Sequence, residues 1–218
     1  MDLNYFFDII TYSPTFVLIF STSVCVYHFN RLDKVPKLLA YYLGGSLFIS
    51  LAAYFFGKLI GNNLFLFFVL TLLELFVFMK LYHLLIKKKK LVLGLAVFGI
   101  LLTIADIVYV SAFELRLFQP YSKILATLLI VFLALIYFFE LIKTGENLYK
   151  SKNHYLYLNS MILCFFAIQF LVFLPLNFLV NVDRQMADYV FVTNAFVLNI
   201  FYLYLTYFIW KRGRNQKR

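Results

Sequence analysis

Seven long apolar stretches, separated by short polar connections, constrain the fold of this chain more than any other feature. They lie at residues 14–30, 38–57, 64–86, 91–110, 124–142, 155–180 and 189–210. An α-helix of about 20 mostly apolar residues crosses the hydrocarbon core of a bilayer. Because lipid offers no hydrogen-bond partners, the backbone of a spanning segment must satisfy itself within a helix or a closed barrel. The sequence therefore predicts an all-α, polytopic bundle of seven transmembrane helices, here named TM1 to TM7 in chain order.

The composition agrees with this class. Hydrophobic residues make up 64% of the 218 residues and charged residues 14%, against about 45–50% and 25% in soluble domains. The formal net charge of +10 is concentrated at the ends of the apolar stretches, where basic residues set membrane topology. We therefore expect the basic residues to contact a lipid bilayer, and we expect no nucleic acid partner.

The distribution of basic residues predicts the orientation of the bundle. The connections after TM1, TM3 and TM5, together with the C-terminal end, hold 15 lysines and arginines, whereas the opposite face holds four. The positive-inside rule then places the N-terminus outside and the C-terminus in the cytoplasm. Residues 1–13 are predicted to form an extracytoplasmic interfacial segment, with Pro14 in the first turn of TM1. Residues 211–218 are predicted to form a basic cytoplasmic tail that meets anionic lipids or a cytoplasmic partner.

The most informative polar residue is Glu74, in the middle of TM3. A charged side chain at the bilayer centre costs about 3 kcal/mol on insertion scales, so Glu74 must be neutral, paired or next to water. One interpretation is a ligand, ion or proton site, with Gln169 of TM6 and Asn199 of TM7 as partners at the same depth. The other is a structural glutamate that hydrogen-bonds TM3 to TM6 or TM7. Lys80 lies six residues later, about 240° around the helix, and is excluded as a direct partner.

Three further polar residues are predicted on the cytoplasmic side. Lys80 either extends towards the headgroups or pairs with Glu140 of TM5. His83 lies on a neighbouring part of the same helix face as Lys80. It is either a pH-responsive group or an interfacial residue.

On the outer side, Asp106 lies about one turn from the end of TM4. It marks either the entrance for a polar ligand or a helix end anchored to its loop, and Arg116, Lys123 or Arg184 can neutralise it.

Two features of the backbone are expected to shape the bundle. Pro175 removes a backbone donor from TM6, which predicts a bend or an end there, with Asn177 placed to satisfy the freed carbonyls. The sequence Gly44-Gly45-Ser46 in TM2 permits a close approach between helices.

Several chemistries are missing from the sequence. There is no GxSxG, HExxH or phosphate-binding loop, and no lysine between Tyr189 and Trp210 that could hold retinal. His28, His83 and His154 lie on different segments without metal-ligand spacing. We therefore expect no cofactor, no metal and a non-enzymatic function, with a membrane-embedded lipid enzyme as the third functional class.

The architecture and the closing stretch YFIWKRGRNQKR resemble small seven-span bacterial inner-membrane proteins and the seven-span sensory modules associated with histidine kinases. This resemblance implies a non-enzymatic binding or signalling role in the inner membrane, and a homo-oligomer is compatible with it. TM1–TM3 and TM5–TM7 share an orientation, so a 3+1+3 pseudo-repeat is allowed. That layout is similar to the SWEET and PnuC transporters and implies the alternative, a small-solute or proton-coupled transporter that uses Glu74.

Overall fold

The fold is seen in a computed structural model that describes residues 3–59, 63, 65–112, 121–143, 153–182 and 184–215. In chain order the helices are α1 (Leu3–His28), α2 (Lys34–Leu59), α3 (Phe65–Leu85), α4 (Lys89–Ala112), α5 (Tyr121–Lys143), α6 (Asn153–Val182) and α7 (Arg184–Asn215). Within the described ranges, seven helices are long and apolar enough to cross a membrane. Within the described residues the predicted all-α fold, with seven helices long and apolar enough to span a membrane, is therefore confirmed.

The beginning of α1 differs from the prediction. The helix starts at Leu3, so Pro14 lies in its interior and not in its first turn, and the segment before Pro14 is not separate from the helix. An internal proline leaves the carbonyl four residues earlier without its donor. Here Ser13 Oγ donates to the Ile10 carbonyl at 2.7 Å, which satisfies the carbonyl that Pro14 frees. The neighbouring serine thus allows the helix to continue through the proline.

Two later helices also extend beyond their predicted ends. α6 continues through Pro175 to Val182, so of the predicted bend or end at this proline the end does not occur and the bend stays a prediction. The side chain of Asn177 lies outside the described residues. α7 continues to Asn215, so the first half of the predicted tail is helical. Hydropathy marks the apolar part of a helix, whereas backbone hydrogen bonding continues into the polar residues that flank it.

The chain divides into two units. Unit 1 comprises Met1–Leu73 and Pro175–Arg218, and unit 2 comprises Glu74–Leu174. The divisions fall inside α3 and α6 and do not coincide with the TM1–TM3 and TM5–TM7 halves. The 3+1+3 pseudo-repeat therefore stays a prediction.

In unit 1, α7 packs along α1. Asn199 Nδ2 donates to Ser13 Oγ at 2.6 Å, and Thr206 Oγ1 forms a 2.6 Å hydrogen bond with Ser21 Oγ. Near the C-terminal end of α7, a Cβ added at Gly213 would lie 2.7 Å from Cγ of His28. Polar contacts and this close approach therefore join the two helices along most of their length.

The glycine pair of α2 shows how specific such close approaches are. A Cβ added at Gly45 would lie 2.9 Å from Cδ2 of Leu73 in α3, whereas a Cβ added at Gly44 would meet nothing within 4 Å. The predicted close packing is therefore confirmed at Gly45 and not at Gly44.

In unit 2, α3 and α6 run antiparallel. The Phe78 and Phe166 rings meet edge to face at 4.7 Å, and Tyr82 donates to Asn159 Oδ1 at 2.8 Å. Gly99 of α4 packs against α3 and α5, since an added Cβ there would come within 3.2 Å of both Leu75 and Leu129. These contacts hold α3 between its neighbours and orient the face that carries Glu74.

Candidate functional site

Glu74 forms a buried ion pair with Lys123. Glu74 is 1% exposed and Lys123 2% exposed, and the Lys123 ammonium also lies 5.6 Å from the centre of the Phe173 ring. Taking either charge out of water alone costs several kcal/mol. The ammonium of Lys123 on α5 therefore compensates the buried negative charge of Glu74 on α3.

A second carboxylate supports the helix end from which Lys123 extends. Asp106 Oδ2 accepts a 2.8 Å hydrogen bond from the backbone N–H of Ser122, in the first turn of α5. The N-terminus of a helix carries a partial positive charge, which repels the lysine in that turn. Glu74 compensates the charge of the Lys123 ammonium, and Asp106 compensates the partial positive charge at the N-terminus of α5. The contact thus joins Asp106 to the first turn of α5 and not to the preceding loop, and both interpretations of Asp106, ligand entrance and loop anchor, stay predictions.

The two predicted amide partners of Glu74 lie in different units. Gln169 is 2% exposed in α6. By the antiparallel register of α3 and α6, it lies near the level of Glu74. Asn199 belongs to unit 1, where it donates to Ser13, and its Oδ1 is buried without a hydrogen-bond partner among the described residues.

The predicted group of Lys80, His83 and Glu140 is not joined by an ion pair between described residues. Lys80 is exposed and His83 half-buried, and the interpretation in which Lys80 extends towards the headgroups stays a prediction. Glu140 Oε2 accepts a 3.0 Å hydrogen bond from the backbone N–H of Lys87. Glu140 therefore contacts the α3–α4 connection. No cluster of three potential metal ligands occurs among the described residues.

A cavity of about 1070 Å³ lies between α1 and α2 in unit 1. Small-molecule sites in proteins typically have volumes of about 300–1,000 Å³ and combine apolar walls with a few polar groups. This cavity fits that description, and its polar lining comprises Thr11, Ser13, Thr15, Ser50, Lys58 and Asn63, with the rings of Tyr12 and Tyr54 beside them.

The cavity has a fixed polar wall and one cation. Thr15 Oγ1 and Ser50 Oγ lie 2.8 Å apart and join α1 to α2. The exposed Lys58 places its ammonium 4.7 Å from the centre of the Tyr54 ring. A ligand with an apolar body and one or two oxygen atoms would match hydroxyl donors and an ammonium in such a site.

Sequence reasoning found Glu74 and missed both Lys123 as its partner and the α1–α2 cavity. One sequence feature could have identified Lys123. It is a cation in the predicted first turn of a helix, where the helix dipole disfavours it, and it lies on the face that has few basic residues. The hydroxyl residues of the cavity are scattered over two helices, and no spacing rule connects them.

No family model, no curated protein and no solved structure matches this chain.

Proposed function

We propose that this protein is a non-enzymatic binding and sensory module embedded in the inner membrane of a bacterial cell. Its N-terminus is outside and its basic C-terminal end is in the cytoplasm. The α1–α2 cavity binds a small, mainly apolar molecule with a carboxylate, hydroxyl or carbonyl group. The α1–α7 contact transmits occupancy to the cytoplasmic end of α7.

One observation carries this proposal: Ser13 belongs to the cavity and to the α1–α7 contact at the same time. Ser13 is one of the residues that line the cavity. Its hydroxyl donates to the carbonyl freed by Pro14 and accepts from Asn199 of α7. A ligand oxygen that engages Ser13 competes with one of these bonds. Ligand binding and the position of α7 are thereby coupled through a single hydroxyl group.

The C-terminal end of α7 is suited to pass a signal to the cytoplasmic side. Gly213 packs against His28 of α1, and Arg214 lies 4.6 Å over the Trp210 ring. Basic residues beside a membrane attract anionic lipids at about 1 kcal/mol each and are available to an acidic cytoplasmic partner. A small shift of α7 relative to α1 would therefore change which of these charges reach lipid or partner.

Octanoate and 1-octanol, two probes that share an apolar chain, test the proposal in nanodiscs. An environment-sensitive fluorophore on Arg214→Cys, in a Cys164→Ser background, reports on the end of α7. We expect octanoate to change the fluorescence and Lys58→Gln to weaken the octanoate response more than the octanol response. Asn199→Leu is expected to abolish most of the signal and leave binding intact, because Asn199 contacts Ser13 without lining the cavity.

Thr193→Val is the matched control on α7, since Thr193 only donates to the Tyr189 carbonyl of its own helix. Ala53 lines the cavity, so Ala53→Trp should fill part of it with the indole ring and remove the response to both probes. The proposal fails if Ala53→Trp and the parent protein respond equally, or if Thr193→Val loses the signal as Asn199→Leu does.

A second function, proton-coupled transport of a small solute, is favoured by the Glu74–Lys123 pair. Ionisable residues inside membrane bundles commonly mark ion or proton pathways. Release of Lys123 when Glu74 takes up a proton would give a two-state element in unit 2. The buried position of both side chains means that such a switch would have to open before a solute could reach it.

Uptake of labelled amino acids, sugars and organic anions into proteoliposomes distinguishes this alternative. If transport occurs, Glu74→Gln should abolish accumulation driven by an imposed pH gradient. Glu140→Gln, which alters a carboxylate at the end of a helix, should not. Accumulation that is the same in the parent protein and in Glu74→Gln would remove Glu74 from any transport mechanism.

A further inference from the structure

A second cavity, of about 270 Å³, lies between α3 and α4 in unit 2. Its floor is formed by buried side chains, Leu75, Met79 and Val92, and its rim by exposed ones, Phe76, Leu93 and Val97. The cavity is therefore an apolar groove that is open along one side of the helix pair.

The groove runs from a close contact between α3 and α4 to a charged end. Gly99 and Leu75 approach closely at the first end. Lys80 and His83 line the opposite end, just before the exposed lysines Lys87–Lys90. From Leu75 to His83 the groove extends about 12 Å along α3, at 1.5 Å per residue. It has the length and polarity of a site for one acyl chain below a negatively charged group.

We propose that this groove binds an anionic phospholipid, with an acyl chain along Leu75, Met79 and Val92 and the phosphate against Lys80 and His83. The assignment rests on the match between a negatively charged phosphate and the basic end of the groove. Lys80 and His83 supply the only polar side chains of the groove lining, and Lys80 is not in an ion pair within the described part of the chain. A long lysine side chain extends towards the headgroup level, where a phosphate can meet it. This site is distinct from the α1–α2 cavity and does not depend on the proposed sensory role.

The groove also explains why Lys80 is tolerated on an apolar helix. The side chain lies beside the rim residue Phe76, which is 65% exposed. A lipid phosphate at this position takes the place of Glu140, the carboxylate partner that the sequence suggested for Lys80. Glu140 instead accepts a hydrogen bond from the Lys87 amide.

Native mass spectrometry of the full-length protein, extracted from nanodiscs of equal phosphatidylglycerol and phosphatidylcholine with identical acyl chains, tests the site. We expect one phosphatidylglycerol to be retained in preference to phosphatidylcholine. Lys80→Gln should lower this preference about fivefold, the factor expected for one basic residue near a headgroup. Lys88→Gln, an exposed lysine of the adjacent connection that does not line the groove, is the matched control.

Ala96→Phe tests the acyl-chain part, because Ala96 lines the groove and a larger side chain would fill it. Retention of phosphatidylglycerol should fall in this variant while its melting temperature in nanodiscs remains that of the parent protein. If the melting temperature falls, Val97→Phe at the exposed rim replaces it. Equal losses in Lys80→Gln and Lys88→Gln, or equal retention of the two lipids by the parent protein, would overturn the proposal and leave only unspecific attraction to the lysine run.

Discussion

Replacing Lys123 with methionine is expected to lower the free energy of unfolding by about 3–5 kcal/mol, the usual cost of removing one partner from a buried ion pair. Methionine keeps much of the volume of lysine but leaves Glu74 as an uncompensated charge, 1% exposed. Unfolding by SDS titration in mixed micelles measures the loss.

The double variant Glu74→Leu/Lys123→Met separates the charge effect from packing. Replacement of both partners by apolar residues of similar volume is commonly neutral or stabilising, so the double variant should recover most of the stability. Lys80→Met removes an exposed lysine from the same unit and should change stability by less than about 1 kcal/mol. If Lys123→Met were as mild as Lys80→Met, the Glu74–Lys123 pair would not be a stabilising contact of the folded protein.

Alanine at Gly213 is expected to lower the free energy of unfolding by about 1–3 kcal/mol, the range typical of overpacking. The added methyl would lie 2.7 Å from Cγ and Nδ1 of His28. Those atoms are close to the backbone of α1, and the buried His28 ring cannot move aside without shifting its helix. Because Gly213 lies in the last turns of α7, the gain in helix propensity from alanine is small there.

Gly94→Ala is the matched control, since an added Cβ at Gly94 meets nothing within 4 Å. Alanine favours a helix interior over glycine by about 1 kcal/mol, so this variant should be slightly stabilised. The variant His28→Gly/Gly213→Ala lacks every His28 side-chain atom that the added methyl would meet, Cβ included. The double-mutant cycle should therefore show a coupling energy of about 0.5–3 kcal/mol. Additive effects of the two substitutions would contradict the contact between α1 and α7 at this position.

Rules based on local sequence predicted correctly those features that depend on the residues of one helix alone. The close approach at Gly45 followed from the small residue itself, and the exposure of Lys80 followed from its place near a helix end. They failed at Pro14, because the rule for an isolated proline does not include the hydroxyl of Ser13 that replaces the missing hydrogen bond. At Pro175 the same rule predicts a bend or an end, and the helix does not end there but continues to Val182.

The sequence by itself determined that this protein is an all-α bundle of seven helices suited to a membrane, because apolar segments of that length can bury their backbone polar groups only within helices. It also identified Glu74 as a residue that needs a partner. Only the tertiary structure decided that the partner is Lys123. The ion pair places the first turn of α5 at the same depth as Glu74. Glu74 lies about 14 Å along α3 from its first residue, Phe65, at 1.5 Å per residue. The relative depth of two helices depends on how they pack, and no residue pattern within either helix records it.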